Sequence, residues 1–149
     1  MRLYLDTSII GGNFDSEFKE WTNPLIDEIL GGKHTAVISE ITIREIQGAP
    51  GYVIKLLEQL LNSNGEFIAA NSETKILAGH YITEGALTKK SLEDANHIAI
   101  ATYHNVNALV SWNFKHILNV DRIRLFNSVN LRYGYGLIDI RSPREIIGI

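Results

Sequence analysis

Three acidic side chains in this sequence are of the type that holds a divalent cation, although they lie far apart along the chain. Asp6 ends the apolar segment RLYL, Glu45 lies in the segment ISEITIREI, and Asp94 lies in the segment SLEDANHIAIAT. Carboxylates that converge at one place cannot all stay ionised without a counter-charge, which a divalent cation would supply. Ligands that are all oxygen suit Mg²⁺ or Mn²⁺ and do not suit zinc. Such a site would hydrolyse a phosphodiester, because the metal activates a bound water and neutralises charge on the phosphate.

Each acid also has a simpler structural interpretation. Asp6 precedes small hydroxyl residues and could cap the next helix through its side chain. Glu45 is a surface acid in the simpler reading, and Glu40 competes with it for the same role. Asp94 follows Ser91 by three residues, a capping-box-like spacing that favours an acid at a helix start. Only their placement at one edge of a sheet would turn the three into a site.

The elements that would position these acids alternate between short apolar strands and helices. Strands are predicted at residues 2–6, 34–38, 66–70, 107–112 and 137–140. Helices are predicted at residues 23–30, 39–48, 52–61, 72–85, 91–104 and 120–131, with a short helix from residue 114 and a last helical turn at residues 142–145. This alternation predicts an α/β fold whose largely parallel sheet is covered on both faces.

Two further candidate residues follow from the expected sheet. In a parallel α/β sheet, ligands bind beyond the carboxyl ends of the strands. Asp6 ends the first strand, and Ser111 and Asn113 lie at the end of the strand NALVSW. Asn113 would be a neutral oxygen ligand or hold a water near the metal, although Asn is also a common turn and cap residue.

The bulk composition limits the classes of protein that fit. The 149 residues, of which 45% are hydrophobic and 21% charged, predict one globular domain over residues 1–149. The net charge of −3 argues against binding of nucleic acid through a broad basic surface, but allows local binding through a cation. Cysteine is absent, and no signal peptide or membrane-spanning segment is recognisable, so a cytoplasmic location is expected.

Other catalytic motifs are missing from the sequence. There is no glycine-rich phosphate loop, no HExxH or other close histidine pair, and no GxSxG elbow. The segment LDTSI lacks the second aspartate, two residues on, that a phosphoaspartyl transferase needs. The carboxylates therefore carry the chemical hypothesis.

The blocks that contain these residues resemble those of a known family. LDTSII, ISEITIREI, LEDANHIAIATYHNVNALVSWNFKHI and RSPREII resemble, in order and spacing, the blocks of PIN domains, and most of all those of the bacterial VapC-type toxin branch. The resemblance spans nearly the whole chain. It implies a PIN-like α/β/α sandwich, Mg²⁺- or Mn²⁺-dependent ribonuclease activity on RNA, a homodimer and a cognate antitoxin as partner.

The residues that match the family's site are five, and one of them departs from the pattern. The family's acids fall on Asp6, Glu45 and Asp94, and its hydroxyl residue falls on Ser111. Asn113 stands where a fourth acid is common, and the lost charge should weaken metal binding, particularly of a second ion. Asp6 and Asp94 are then the main metal ligands, while Glu45 holds or activates a metal-bound water. Ser111 and Asn113 orient water and the scissile phosphate.

Two other functions stay open from the sequence. The same fold with a weakened site could be a catalytically weak or inactive binding module, acting as a dimeric scaffold for RNA or protein. A nuclease directed at branched DNA is the third hypothesis, against which the short chain, without added basic or clamp elements, argues.

Overall fold

Five parallel strands form a single sheet in the computed structural model, which describes residues 1–148. The strands are β1 Arg2–Leu5, β2 Thr35–Ser39, β3 Glu66–Ile68, β4 Ala108–Val110 and β5 Ile140–Arg141. Their order is β3-β2-β1-β4-β5, and every neighbouring pair is parallel. The order of strands reverses between β1 and β4, and the crevice at such a switch point is where ligands bind in open α/β sheets.

Helices cover both faces of this sheet. They are α1 Thr7–Gly12, α2 Lys19–Leu30, α3 Glu40–Glu45, α4 Gly51–Asn62, α5 Ser72–Thr83, α6 Leu92–Tyr103, α7 Val120–Arg132 and α8 Pro143–Ile147. Side chains alternate between the two faces of a strand. Leu3 and Leu5 therefore pack with α1, α2, α4 and α8, while Tyr4 packs with α5, α6 and α7. The predicted three-layer α/β/α arrangement with a parallel sheet is confirmed.

The helix predicted from residue 114 is wrong, because the chain forms a turn there. The Asn113 side-chain oxygen accepts a hydrogen bond from the His116 backbone N–H at 3.0 Å. The Asn113 carbonyl accepts from the backbone N–H groups of Ile117 at 3.1 Å and Leu118 at 2.7 Å. These bonds close a compact turn directly after β4, and they fix the position of Asn113 at the end of that strand.

Two helices begin at or within one residue of their predicted starts, but their caps differ from the expectation. α5 begins at Ser72, as predicted, and is capped by Asn71, which exchanges hydrogen bonds with Thr74 in a capping box. Ser91 precedes α6 but its side chain makes no cap hydrogen bond. The capping-box interpretation of Asp94 is therefore wrong, and its carboxylate is left for other contacts.

No helix within residues 1–148 combines the length and the apolar character needed to cross a bilayer.

Candidate active site

Asp6 lies at the carboxyl end of the central strand with almost no contact with solvent. Its side chain is only 3% exposed, and both of its oxygens accept hydrogen bonds from serines. The Ser8 hydroxyl donates to Oδ1 and the Ser111 hydroxyl donates to Oδ2, each at 2.5 Å. Asp6 is the N-cap residue of α1, but its side-chain oxygens are bound by the two serines and make no cap hydrogen bond of standard geometry.

The serines that hold Asp6 also join the ends of β1 and β4. The Ser8 hydroxyl oxygen accepts from the Trp112 backbone N–H at 2.9 Å. The Ser111 hydroxyl oxygen accepts from the Asn113 backbone N–H, also at 2.9 Å. Each serine thus donates to the carboxylate and accepts from the chain after β4, so the Asp6 oxygens are held in fixed positions.

Glu45, at the end of α3, is held by two donors on the same oxygen. Its Oε1 accepts from the Thr7 hydroxyl at 2.8 Å and lies 2.6 Å from His97 Nε2. About a third of its side chain stays exposed, at 32%. Glu40 instead accepts from the Ala70 backbone N–H at 2.6 Å, beyond β3. Glu40 is thus engaged away from His97, and Glu45 is the glutamate that lies beside this imidazole.

Asp94 lies in the first turn of α6 and is half-buried. Burial raises the pKa of Asp94 above its ordinary value, and the charge of Glu45 adds to this effect. The neighbouring imidazoles of His97 and His116 and the side-chain amide of Asn113 act in the opposite direction, but the pKa remains raised. The Asp94 carboxylate is therefore incompletely compensated within the protein.

His97 is hydrogen-bonded to Glu45 and lies close enough to Asp6 and Asp94 to influence their pKa values. Its side chain is buried, with 2% exposure. Burial raises the pKa of Asp6, and the nearby His97 imidazole acts against that rise, as it does for Asp94. Burial would also raise the pKa of Glu45, but the His97 and Thr7 hydrogen bonds reverse the direction and hold it below its ordinary value. The structure thus brings all three acids into the electrostatic range of one imidazole.

Sequence reasoning missed His97, Thr7 and Ser8 as parts of this cluster. In the sequence, Thr7 and Ser8 are only small hydroxyl residues after Asp6, whereas in the structure their hydroxyls donate to Glu45 and Asp6. The sequence has no close histidine pair, so that motif gives no reason to select His97. A usable signal was its spacing of three residues from Asp94, which places both side chains on one face of a helix.

The donor set fits Mg²⁺ or Mn²⁺ by its chemistry, but not as a closed protein cage. Among residues 1–148, no group of three or more His, Asp or Glu side chains surrounds a common metal position. Mg²⁺ keeps several waters and is usually held by only one or two carboxylates, so such a group is not required. The carboxylates of buried Asp6 and half-buried Asp94 have raised pKa values, and a cation would supply the counter-charge that they lack.

Comparison with known proteins identifies relatives in fold. No protein-family model matches the sequence, and no curated protein matches it either. The chain is similar to one in the crystal structure of VapBC2 from Rickettsia felis bound to a DNA fragment from their promoter, with 15% identity, a TM-score of 0.60 and coverage of 95% of this chain and 98% of that chain. It is also similar to a chain of FitAB bound to an IR36 DNA fragment, with 14% identity, a TM-score of 0.61 and coverage of 95% and 94%. It is similar as well to a chain of FitAcB from Neisseria gonorrhoeae, with 15% identity, a TM-score of 0.60 and coverage of 95% of this chain and 97% of that chain.

These similarities concern the fold, since the identities are low. They extend over nearly the full length of both chains, and the five-stranded parallel sheet lies within them. The fold of this chain is therefore PIN-like, as the sequence resemblance implied.

Proposed function

We propose that this protein is a Mg²⁺- or Mn²⁺-dependent endoribonuclease that acts as the toxin of a toxin–antitoxin pair. The observation that carries the proposal is the buried Asp6 carboxylate at the switch point of the sheet, fixed by two serines and incompletely compensated. Asp94 and Glu45 lie around the same imidazole. A PIN-like fold with acids in these places favours hydrolysis of phosphodiesters over other chemistries.

The roles of the side chains follow from their contacts. Asp6 and Asp94 would hold the cation, directly or through water. Glu45 keeps one oxygen for a water, since Thr7 and His97 both bind the other oxygen. A bound cation would lower the pKa of its water and neutralise charge on the phosphate.

The residues at the end of β4 would orient these groups. Ser111 orients Asp6 through its hydroxyl. The Asn113 side-chain oxygen accepts a hydrogen bond from the His116 backbone N–H. Its NH2 group is therefore the part that can donate to Asp94 and lower the pKa of that carboxyl. Asn113 would then bind the metal less directly than an acid would, and would orient water and the scissile phosphate instead.

Partners are proposed from the structures that share the fold. VapBC2 and FitAB are both bound to DNA. We propose for this chain a cognate antitoxin, a homodimer and a cytoplasmic location, as the PIN-domain resemblance implies. Co-purification of the chain with the product of an adjacent gene, tested against the chain expressed alone, would examine the antitoxin part.

The test of the activity is cleavage of single-stranded RNA with Mg²⁺, with Mn²⁺ and with EDTA. Asp6→Asn and Glu45→Gln should each reduce metal-dependent cleavage on the order of a hundredfold or more, since each removes several kcal/mol of stabilisation of the reacting charges. Asp27→Asn makes the same chemical change at an exposed position of α2 and should cleave like wild type. Equal cleavage by wild type and Asp6→Asn would eliminate the ribonuclease proposal.

A non-catalytic scaffold is the second candidate, and one observation favours it. Asn113 is neutral where an acid is common in the family that the sequence resembles. The same assay separates the candidates, because a scaffold would bind RNA without metal-dependent turnover. A branched DNA substrate in a parallel reaction separates a DNA-directed nuclease from both.

A further inference from the structure

A chain of buried hydrogen bonds extends from Glu45 into the core. Glu45 Oε1 lies 2.6 Å from His97 Nε2, and His97 Nδ1 lies 2.6 Å from the Tyr4 hydroxyl. The Tyr4 hydroxyl in turn lies 2.7 Å from the Ser39 hydroxyl. The Ser39 oxygen accepts from the Thr42 backbone N–H at 3.5 Å. The chain thus connects α3, α6, β1 and β2, and all of its members except Glu45 are buried.

Counting hydrogens gives this chain a direction. A neutral imidazole has one N–H donor and one acceptor nitrogen, and a hydroxyl has one hydrogen to donate. Ser39 can donate to the Tyr4 oxygen, Tyr4 to His97 Nδ1, and His97 Nε2–H to Glu45. Every hydrogen then has an acceptor, and every buried polar atom has a partner, as buried groups require.

The opposite direction leaves one buried hydrogen without an acceptor. If His97 carried a hydrogen on Nδ1, it would donate to the Tyr4 oxygen, and Tyr4 would donate to Ser39. The Ser39 hydroxyl has no other hydrogen-bond acceptor among residues 1–148, so its own hydrogen would be unpaired. A buried donor without an acceptor costs roughly 1–3 kcal/mol, which favours the first direction.

We propose that His97 is a positioning residue, fixed by Tyr4 and Ser39 as the Nε2–H tautomer, that holds Glu45 by Oε1 and so presents Oε2 to the site. The Thr7 hydroxyl binds the same Oε1, which leaves Oε2 without a protein hydrogen bond in the described part of the chain. This inference rests on the proposed function, because the role of Oε2 is to hold the metal-bound water. It assigns a part in the site to a tyrosine that never touches substrate.

The expected loss of metal affinity is that of replacing a group that orients a metal-site side chain without binding the metal itself. Replacing groups that orient the metal-binding side chains typically costs 10–100-fold in metal affinity or activity. Tyr4→Phe removes the donor to His97 Nδ1 and keeps the ring, which packs edge-on against the imidazole at a centroid distance of 5.6 Å. The substitution lies two hydrogen bonds behind Glu45, so we expect a loss of about tenfold, at the lower end of that range.

The chain offers a matched control in Tyr81. It is also fully buried in the same core cluster as Tyr4. Its hydroxyl is hydrogen-bonded to Asn130 and Thr102, which take no part in the candidate site. Tyr81→Phe therefore removes a buried hydroxyl from a comparable environment, and it should lower the stability of the fold without affecting Glu45.

The closing experiment combines nitrogen-15 NMR of the histidine rings with calorimetric titration of Mn²⁺. In wild type, the His97 ring should show a hydrogen on Nε2 and a hydrogen-bond acceptor at Nδ1. Tyr4→Phe should mix the two tautomers and weaken Mn²⁺ binding about tenfold. In a Glu45→Gln background the same substitution should leave Mn²⁺ affinity unchanged. Tyr81→Phe should leave both the tautomer and the affinity as in wild type.

The outcomes separate this inference from the proposed function. A His97 hydrogen on Nδ1 in wild type, or equal Mn²⁺ affinities for Tyr4→Phe and Tyr81→Phe, would overturn the positioning role alone. Mn²⁺ binding with the expected tautomer but without RNA cleavage would overturn the ribonuclease and retain the positioning role. Absence of Mn²⁺ binding by wild type would overturn both.

Discussion

The burial of Asp6 makes a quantitative prediction about stability without metal. Burying an ion costs several kcal/mol even after the protein relaxes around it. The hydrogen bonds from Ser8 and Ser111 are charge-assisted, and each stabilises the folded protein by about 1 kcal/mol more than a neutral hydrogen bond would. The raised pKa of Asp6 shows that burial outweighs these bonds. In Asp6→Asn the amide oxygen still accepts from one serine, while the other serine loses the acceptor for its hydroxyl hydrogen. Removal of the buried charge should outweigh that loss and stabilise the metal-free protein by about 1 kcal/mol.

The dependence on pH has a definite sign. Because the pKa of Asp6 is raised in the folded state, the folded protein binds this proton more tightly than the unfolded chain does. Wild-type stability therefore falls as pH rises from the ordinary pKa of aspartate through the raised pKa of Asp6. The advantage of Asp6→Asn should be complete above the raised pKa of Asp6 and disappear in acid, where the carboxyl is protonated in both states.

Metal should reverse this order of stabilities. A cation that binds only the folded protein stabilises it by about 2.7 kcal/mol at a concentration one hundred times its dissociation constant. That gain exceeds the advantage of Asp6→Asn, and the variant should lose most of it along with a principal ligand. Wild type should thus be the less stable protein in EDTA and the more stable one in saturating Mn²⁺.

The assay is thermal unfolding followed by circular dichroism, in EDTA and in Mn²⁺. A difference of 1 kcal/mol corresponds to roughly 2–4 °C in Tm for a protein of about this size. Asp27→Asn, an exposed aspartate of α2, is the matched control and should follow wild type in both buffers. If Asp6→Asn melts below wild type in EDTA, the two serines compensate the buried charge fully and the reasoning is refuted.

Two further predictions concern the scaffold around the site. Gly12→Ala should lower stability by about 1–3 kcal/mol in urea unfolding, because the new Cβ would lie 2.9 Å from Trp112 Cδ1, whereas Gly11→Ala has nothing within 4 Å and should be neutral or slightly stabilising. A loss at Gly11 equal to that at Gly12 would contradict the packing argument. Ser142→Ala removes the capping box of α8 and should cost about 1 kcal/mol, unlike Ser128→Ala on the exposed face of α7. Equal midpoints for the two serine variants would show that the cap contributes nothing.

The positions of the acids could be predicted from the sequence because they are set by local pattern. Asp6 follows an apolar run typical of a buried strand, and Asp94 lies in the first turn of a helix in which Ala95, Ile98 and Ala99 form a buried face. Parallel strands end at one edge, so Asp6 and Ser111 had to be neighbours once β1 and β4 were paired. These inferences needed only the period of the pattern and the general rule for parallel sheets.

The contacts that connect the acids could not be predicted in the same way. His97 lies 93 residues from Tyr4 and 52 residues from Glu45, so no local pattern carries their proximity. The choice between Glu40 and Glu45 depended on which side chain meets the backbone beyond β3, which is a tertiary contact.

The errors at helix starts have a related cause. α2 begins at Lys19 and not near Asn23, and its preceding residue, Phe18, makes no side-chain cap. The usual signal for a helix start is therefore missing there. At Ser91 the signal is present and is not used. Cap residues mark where a helix could begin, but packing of the apolar face decides where it does.

The charge balance at Asn113 explains how a weakened family pattern can still form a coherent site. An acid at this position would place a third carboxylate beside Asp94 and Glu45, whereas the Asn113 amide favours the charged form of Asp94. Hydrogen bonds from His97 and Thr7 hold the pKa of Glu45 below its ordinary value. Asp6 and Asp94 are then the two carboxylates whose pKa values burial raises. Under the proposed function, one divalent cation would stabilise these two carboxylates, and the neutral Asn113 would weaken the binding of a second ion.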